Sequence, residues 1–361
     1  MEINIQKMAK RDIRELKTYK PEVISCPIRM EANENPFVMN SQLRKQVLDS
    51  IAKISLNRYP DSLSIGLREI ISKKSGIKTK NILVGNGSDE LIQMLITAFC
   101  EKDEKILYPV PTFSMFGIIA KSLGASPQEV PLNSEWDIDL EEIKKAYEKL
   151  KPKIIFLSSP NNPTGNCFSE NIILEIIKTT PSLVVVDEAY ADFCGKTFMG
   201  HLEEFNHLIV LRTLSKIGMA GLRVGYLIAH EEIVNVLHKV RLPYNSNSLS
   251  QKTATVLLEE SDELESQIKM IIEGREFLWK ELKDLEKLGG IIPFPSNANF
   301  ILFKTQKNAD HIHMRLTEEG ILIRNLNVPG PLKNCLRVTV GQPFENQAFI
   351  KALKKVTANK T

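Results

Sequence analysis

Short apolar runs alternate with helical patterns through the middle of the chain. Runs of four to six residues rich in β-branched side chains are typical of strands, and several have no polar face. Such strands are expected to be buried on both sides. The predicted strands cover residues 81–84, 105–108, 154–157, 183–186, 208–211 and 225–229. Strands that alternate with helices form βαβ units, so the pattern predicts an α/β fold whose mostly parallel central sheet has helices on both faces.

The pattern changes at about residue 249, where long charged amphipathic helices precede the short apolar segments NFILFKT, GILIRNL and CLRVTVG. This arrangement predicts a smaller α+β domain. The early segment EANENPF, with its proline and asparagines, is typical of an exposed loop between two lobes. We therefore expect a large domain over residues 40–248, and a small domain that combines residues 1–39 with residues 249–361.

Composition narrows the classes of partner. The chain of 361 residues is 43% hydrophobic and has a formal net charge of +3 without a long basic run, which favours a small-molecule ligand over nucleic acid. Its five cysteines form no C-x-x-C pair, so we expect free thiols in a reducing compartment. The charged N-terminal stretch lacks the apolar core of a signal peptide, and no apolar run is long enough to span a bilayer, so we expect a cytoplasmic protein.

Chemically useful side chains follow three of the predicted strands. Asp187 and Tyr190 follow the run LVVV, Asn162 follows IIFLSSP, and Lys216 follows LIVLRT. Ligands of open α/β sheets bind beyond the carboxyl ends of the strands. We therefore expect a carboxylate, an amide and an amine to meet at one binding site.

Lys216 is a candidate nucleophile. A single lysine is usually a solvated surface residue. Here the segment TLSKIGMAGLR places Arg223 a short distance along the chain, and a neighbouring cation favours the neutral, reactive form of a lysine amine. The context therefore favours a covalent role for Lys216.

A second segment is suited to binding phosphate. In VGNGSDELIQML a glycine turn follows a predicted strand, and Gly87, Ser88 and Asp89 open an apolar helix. The unpaired N–H groups of a helix N-terminus bind anions. The segment matches neither a Walker A motif nor G-x-G-x-x-G, so taken alone it is an ordinary loop.

The ordered set N-P-T-G, D-E-A-Y and S-K followed by G-L-R resembles the fold-type I pyridoxal-phosphate enzymes, and specifically the class I and II aminotransferases. The resemblance implies pyridoxal 5'-phosphate bound to Lys216 as a Schiff base. It also implies that Asp187 pairs with the pyridine nitrogen and keeps it protonated, while Asn162 and Tyr190 contact the phenolic oxygen. Lys216, Asp187 and Tyr190 are the catalytic residues of this prediction.

The same resemblance assigns the remaining cofactor contacts. Thr213, Ser215 and Arg223 complete the phosphate cup begun by Gly87, Ser88 and Asp89. Phe113 stacks on the pyridine ring at a position where related enzymes usually carry tyrosine. Tyr59 reaches the phosphate of the neighbouring subunit's cofactor, so a homodimer is the expected active unit.

A closer resemblance, over residues 19–341, is to the histidinol-phosphate aminotransferase family, which exchanges an amino group between glutamate/2-oxoglutarate and histidinol phosphate/imidazole-acetol phosphate in histidine biosynthesis. It rests on the segments TYKPE, MEANENPF, RYPD, GNGSDE, PYNSNSLSQ, GILIRNL and LRVTVG. The substrate-binding residues it implies are Tyr19, Asn33, Asn162, Arg324 and Arg337. Arginine side chains offer forked donors suited to a phosphate dianion.

Three alternatives remain open at this point. They are a threonine-phosphate decarboxylase of the same fold, an aminotransferase for aromatic amino acids, and a non-catalytic regulator, although no DNA-binding region is apparent. His311 and His313 lack the carboxylate or cysteine ligands that would complete a metal site, so we expect no metal and place both on a surface helix.

Overall fold

The computed structural model describes residues 3–14, 16 and 24–358, and within them the strands form two sheets. The strands are β1 (Ile28–Met30), β2 (Ile82–Gly85), β3 (Lys105–Val110), β4 (Ser126–Pro131), β5 (Ile154–Ser158), β6 (Leu183–Asp187), β7 (Leu208–Thr213), β8 (Gly225–Ala229), β9 (Ile291–Pro293), β10 (Phe300–Thr305), β11 (Ile321–Asn325) and β12 (Cys335–Thr339).

The helices separate these strands along most of the chain. They are α1 (Ile5–Met8), α2 (Arg11–Arg14), α3 (Ser41–Ile51), α4 (Ile65–Ser75), α5 (Ser88–Phe99), α6 (Met115–Leu123), α7 (Leu140–Leu150), α8 (Glu170–Thr179), α9 (Glu231–Val240), α10 (Ser248–Glu259), α11 (Ser261–Lys287), α12 (Ala309–Glu318) and α13 (Pro343–Ala358). Among the described residues, no helix is long and apolar enough to cross a membrane.

The large sheet has the strand order β2-β8-β7-β6-β5-β3-β4. The neighbours from β7 to β4 pair in parallel, whereas β8 is antiparallel to both β2 and β7. The predicted mostly parallel sheet is therefore confirmed. All six predicted strands are present, and most of them extend by one or two residues.

The side chains of the central strands alternate between two apolar layers. In β5, Ile154 and Phe156 pack with helices α5, α6 and α9, whereas Ile155 and Leu157 pack with α7 and α8. Alternation along a pleated strand sends successive side chains to opposite faces. Helices therefore cover both faces, as the continuously apolar runs predict.

The small sheet has the order β1-β11-β12-β10-β9, and β1 pairs in parallel with β11. Residues 28–30 thus join a sheet made otherwise of residues beyond 290. The segment after β1 bridges the two sheets at Asn33, which binds Thr339 at the end of β12 and whose side chain also donates to the hydroxyl of Tyr190, just after β6. The domain limits given above stay a prediction.

Strands β1, β4 and β9 escaped the sequence pattern, and β1, like β9, is only three residues long. The sequence of β4, SPQEVP, contains two prolines and few apolar residues, which is compatible only with an edge strand. β4 does lie at the edge of the large sheet. β9 is three residues long, too short for a periodicity to show.

Candidate active site

The carboxyl ends of β5, β6 and β7 open into a pocket of about 490 Å³ between the two sheets. Most of the residues selected from the sequence line it. They are Asn33, Ser88, Asp89, Phe113, Asn162, Asp187, Tyr190, Thr213, Ser215, Lys216, Arg223, Arg324 and Arg337. Gly87, the N-cap residue of α5, lies directly before Ser88 in the chain.

Asp187 is the last residue of β6 and only 3% exposed. Its carboxylate accepts a hydrogen bond from the Ala189 backbone N–H at 3.0 Å. Burial raises the pKa of Asp187 to about 7, because desolvation penalises the charged form more than that N–H and the nearby Lys216 stabilise it. Among the described residues no cation forms an ion pair with Asp187, so a cationic N–H group of a ligand would offset its burial.

Lys216 and Tyr190 line the same pocket as Asp187. The Lys216 side-chain nitrogen lies 5.8 Å from the centre of the Tyr190 ring, and Lys216 is half-buried. The Tyr190 hydroxyl accepts a hydrogen bond from the Asn33 side chain at 3.0 Å. Asn33 itself is 2% exposed with a φ of 55°, so the segment after β1 is tightly held against the pocket.

An anion site lies at the N-terminus of α5. Gly87 caps this helix with a φ of 82°, and no side chain caps the first-turn N–H groups. The Thr213 hydroxyl donates to the Ser215 hydroxyl at 3.0 Å, and the Arg223 guanidinium lies 3.4 Å from the Asp89 carboxylate. Hydroxyls, unpaired N–H groups and a guanidinium together form a cradle for a phosphate group.

Close backbone contact shapes this cradle. Gly225 pairs with Gly85, and a Cβ atom on Gly225 would lie 2.6 Å from both the Gly87 carbonyl carbon and the Ser88 nitrogen. A Cβ atom on Gly87 would lie 2.6 Å from Arg223. At Gly225 a side chain would therefore force the turn to move, whereas at Gly87 it would displace Arg223 and strain a backbone with a positive φ.

Arg337 joins the two sheets at the mouth of the pocket. Its guanidinium donates to the Asn162 side-chain oxygen at 2.5 Å and to the Glu31 backbone oxygen at 2.8 Å. It also lies over the Phe300 ring, 5.0 Å from its centre. Arg324 pairs directly opposite Arg337 in the ladder between β11 and β12. Two guanidinium groups therefore reach the same side of the pocket.

The sequence interpretation missed several pocket residues. Arg29 and Glu31 form an ion pair and both line the pocket. They arrive there through the pairing of β1 with β11, which no local pattern reveals. Asn161 is fully buried and its side chain bonds Thr112, Thr164 and the Pro111 carbonyl, so it fixes the loop that carries Asn162. The turn sequence SPNNPTG does point to this loop, although the sequence alone does not show which of the two asparagines contacts a bound ligand.

One selected residue, Tyr59, does not line this pocket. Tyr59 is 80% exposed and stacks on Tyr244 with 4.5 Å between ring centres. Tyr19 lies outside the described residues. Phe113 does line the pocket, where its ring meets Phe116 edge to face at 5.6 Å.

The placement of the two histidines on α12 needs a correction. His311 is exposed, but His313 is buried and its ring nitrogen contacts the Ile323 carbonyl at 3.0 Å. The two side chains therefore do not share a surface, because His313 packs α12 onto β11. Within residues 3–14, 16 and 24–358, no group of histidine, cysteine and carboxylate side chains has the arrangement of a metal site.

The fold and the pocket define an α/β enzyme with a lysine, a carboxylate and an anion cradle at the carboxyl edge of its sheet. Residues 27–353 match the family described as aminotransferase class I and II, so the chain belongs to this family.

Relatives with similar sequences carry a more specific name. The histidinol-phosphate aminotransferase of Caldanaerobacter subterraneus subsp. tengcongensis is 42% identical over 98% of this chain and 99% of its own length. That of Aquifex aeolicus is 42% identical over 96% of this chain and 98% of its own length.

Solved structures agree with this fold. The histidinol-phosphate aminotransferase of Sinorhizobium meliloti, solved with pyridoxal-5'-phosphate, has a TM-score of 0.87 at 23% identity and covers 97% of both chains. The Clostridium acetobutylicum enzyme of the same name has a TM-score of 0.84 at 26% identity, covering 92% of this chain and 100% of its own. The predicted fold class and the aminotransferase family are thus confirmed.

Proposed function

We propose that this protein is a pyridoxal-phosphate-dependent histidinol-phosphate aminotransferase, which exchanges an amino group between L-glutamate/2-oxoglutarate and histidinol phosphate/imidazole-acetol phosphate in histidine biosynthesis. The observation that carries the proposal is the presence of Arg324 and Arg337, side by side, in the pocket that also holds Lys216 and Asp187. The full-length relatives at about 40% identity carry the same name, which supports this assignment.

The donor set fits pyridoxal 5'-phosphate. Asp187 is a buried carboxylate suited to a protonated ring nitrogen, and Lys216 is the amine for the covalent link. The cradle of Gly87, Ser88, Asp89, Thr213, Ser215 and Arg223 suits the phosphate, with the Asp89 carboxylate serving to orient Arg223. The Phe113 ring is available for stacking on the pyridine face.

Hydrogen bonds within the protein indicate which groups of Asn162 and Tyr190 would contact the phenolic oxygen of the cofactor. The Asn162 side-chain oxygen accepts from Arg337, so the amide N–H₂ is the group with which Asn162 would donate to that oxygen. The Tyr190 hydroxyl accepts from Asn33, so its own proton is the second donor. In both residues the oxygen already accepts a hydrogen bond within the protein, so the N–H or O–H group is the one that would donate to the cofactor.

The bound cofactor supplies a conjugated ring that delocalises the electrons of the substrate α-carbon. Asp187 would place a negative charge next to the ring nitrogen and so favour its protonated form. Lys216 would hold the cofactor through its amine, and the same amine, when free, would act as the base that takes the proton from the substrate α-carbon. Lys216 is half-buried, and its nitrogen lies 5.8 Å from the centre of the Tyr190 ring within the same pocket.

The two substrates share the arginine side of the pocket. Arg324 and Arg337 bind the phosphate of histidinol phosphate, with Asn33, Asn162 and Tyr19 completing the site. Glutamate has a carboxylate where histidinol phosphate has a phosphate ester, and Arg337 offers its fork to that carboxylate in the other half-reaction. The bonds from Arg337 to Asn162 and to the Glu31 carbonyl hold it in place for both substrates.

The active unit in this proposal is a cytoplasmic homodimer. Leu56, Tyr59, Leu63, Leu242 and Tyr244 are exposed apolar side chains of two segments that the Tyr59–Tyr244 stack brings together, and we infer that they form one apolar patch. Patches of this kind mark interfaces. Dimerisation would cover it and bring Tyr59 to the cofactor phosphate of the partner subunit. Residues 40–248 would form the cofactor-binding domain, and residues 1–39 with 249–361 the small domain.

The proposal is tested by incubating the cofactor-loaded protein with histidinol phosphate and 2-oxoglutarate and identifying the products by mass. We expect glutamate and imidazole-acetol phosphate from the unaltered protein, and neither from Lys216→Ala. Carbon dioxide released from threonine phosphate would indicate the decarboxylase instead. Preference for phenylalanine would indicate an aromatic aminotransferase.

A further inference from the structure

Asn33 has a partner within the protein for each of its polar groups. Its backbone N–H donates to the Thr339 hydroxyl at 3.0 Å, and its backbone carbonyl accepts from the Asn299 side chain at 3.0 Å. Its side-chain oxygen accepts from the Thr339 hydroxyl at 3.2 Å, and its side-chain N–H₂ donates to the Tyr190 hydroxyl at 3.0 Å. Three neighbours therefore fix the position of one residue.

Two of these neighbours belong to paired strands of the small sheet. Thr339 is the last residue of β12 and pairs with Phe300, the first residue of β10, which Asn299 immediately precedes. Thr339 and Asn299 are both buried, and the Val340 backbone N–H donates to the Asn299 carbonyl at 2.9 Å. Phe300 also meets the Tyr190 ring edge to face, with 5.1 Å between the ring centres. The two strand ends therefore form one rigid support for Asn33 and Tyr190.

The Asn33 backbone is held in a conformation that most residues avoid. Its φ of 55° lies in the left-handed region, which asparagine enters more readily than other side chains. A strained backbone persists only where its surroundings fix it. The bond from the Asn33 N–H to Thr339 and the bond from Asn299 to the Asn33 carbonyl supply this constraint. The Asn33 side chain therefore starts from a fixed backbone.

The direction of the hydrogen bonds around Asn33 follows from its backbone. Because an N–H group only donates, the Thr339 oxygen accepts from it and the Thr339 proton is left to donate. That proton goes to the Asn33 side-chain oxygen, which turns the amide N–H₂ toward the Tyr190 oxygen. Among the residues that the structure describes, no protein acceptor takes the Tyr190 proton. Since Tyr190 lines the pocket, its proton is left for a ligand bound there.

We propose that Thr339 is a positioning residue that, through Asn33, directs the Tyr190 proton to the phenolic oxygen of the cofactor. The inference rests on the proposed function, in which Tyr190 contacts that oxygen. Thr339 does not itself line the pocket. Without its hydroxyl the Asn33 amide loses its fixed orientation, and the Asn33 side-chain oxygen competes with the cofactor for the Tyr190 proton.

The test is the pH midpoint of the visible absorbance of the bound cofactor, which follows protonation of the nitrogen that joins it to Lys216. A donor to the phenolic oxygen stabilises its negative charge and so lowers the proton affinity of that nitrogen. Tyr190→Phe removes the donor and should raise the midpoint by about one pH unit. Thr339→Val should raise it by roughly half a unit or more. Thr339→Ser keeps the hydroxyl and should restore the midpoint of the unaltered protein.

Thr305→Val is the matched control. Thr305 is buried at the other end of β10, and its hydroxyl donates to the carbonyls of Lys307 and Asn334. This variant loses a buried hydroxyl of the same sheet without touching Asn33, so its midpoint should not change. Circular dichroism and cofactor content establish that each variant is folded. Thr339→Ala, which removes the same hydroxyl, replaces Thr339→Val if valine prevents folding.

A double variant separates positioning from a general structural role. Because Thr339 acts through the Tyr190 proton, Thr339→Val should cause no further shift in a protein that already carries Tyr190→Phe. Equal shifts with and without Tyr190→Phe would overturn the proposal, as would a midpoint that Tyr190→Phe raises and Thr339→Val leaves unchanged. If Tyr190→Phe itself leaves the midpoint unchanged, the contact between Tyr190 and the cofactor is wrong, and the role of Thr339 falls with it.

Discussion

Arg324 and Arg337 lie directly opposite each other on the antiparallel strands β11 and β12. Like charges in this position destabilise a sheet, because their Cβ atoms are only about 5 Å apart. Both side chains line the pocket, and Arg337 is 8% exposed. A phosphate dianion between them would replace this repulsion with attraction, which explains why a substrate with a phosphate ester suits the site.

The Arg324→Gln variant should separate the two substrates. We expect its KM for histidinol phosphate to rise by about 10- to 100-fold, because one charge-assisted bond to phosphate is lost. Its KM for glutamate should change little. Steady-state kinetics in both directions measure this, with Arg337→Gln as the companion that weakens both substrates. An equal effect of Arg324→Gln on both substrates would contradict the separate roles.

Asp187 should make the stability of the cofactor-free protein depend on pH. Its pKa is raised to about 7 in the folded state, whereas an unfolded aspartate titrates near 4. Between those pH values the folded protein holds a proton that the unfolded chain has lost, so the free energy of unfolding falls as pH rises. The full change is on the order of 4 kcal/mol.

Urea unfolding of the cofactor-free protein from pH 4 to pH 8 measures this effect. Asp187→Asn is the reference, because its amide does not titrate and it keeps the shape of the side chain. Relative to this variant, the free energy of unfolding of the unaltered protein should fall between about pH 4 and pH 7 and then stay constant. A constant difference between the two proteins would show that Asp187 ionises normally.

Gly225→Ala should disturb the phosphate cradle. The new Cβ atom would meet the Gly87 carbonyl carbon and the Ser88 nitrogen at 2.6 Å, so the turn before α5 must move. We expect cofactor affinity to fall at least about tenfold, a loss of roughly 1.4 kcal/mol. Gly66→Ala is the control, because no atom lies within 4 Å of its Cβ position. Titration followed by cofactor absorbance compares them, and equal affinities would refute the close contact.

Tyr59 should act on the partner subunit. Tyr59→Ala and Lys216→Ala should each be poorly active, because one lacks a phosphate contact and the other lacks the nucleophile. A mixed dimer restores one complete site, so random mixing of the two should recover about a quarter of the unaltered activity. Activity after co-refolding, with each variant refolded alone as control, gives the result. No recovery from a mixture shown to be dimeric would exclude the shared site.

The strands of the large sheet and the residues at their ends were predictable because both rest on local sequence. A continuously apolar run identifies a buried strand, and the ligand position follows from the carboxyl ends of parallel strands. Asp187, Asn162 and Lys216 were selected in this way, and the structure places all three in one pocket. Their order along the chain also carried the family resemblance.

Contacts between distant segments were not predictable. Arg29 and Glu31 reach the pocket only because β1 adds to the edge of a sheet built from residues beyond 290. His313 looks like a surface residue in the sequence, yet its ring is buried against β11 by tertiary packing.

The most direct test of the central claim is the half-reaction of the cofactor-loaded protein, followed by visible absorbance. Histidinol phosphate, phenylalanine and threonine phosphate are titrated separately without an amino acceptor, and the products are identified by mass. We predict that histidinol phosphate alone, at low concentration, converts the bound cofactor to pyridoxamine phosphate and yields imidazole-acetol phosphate. Conversion at equal or lower concentrations of phenylalanine, or carbon dioxide from threonine phosphate, would contradict the proposed function and leave only the fold and the family.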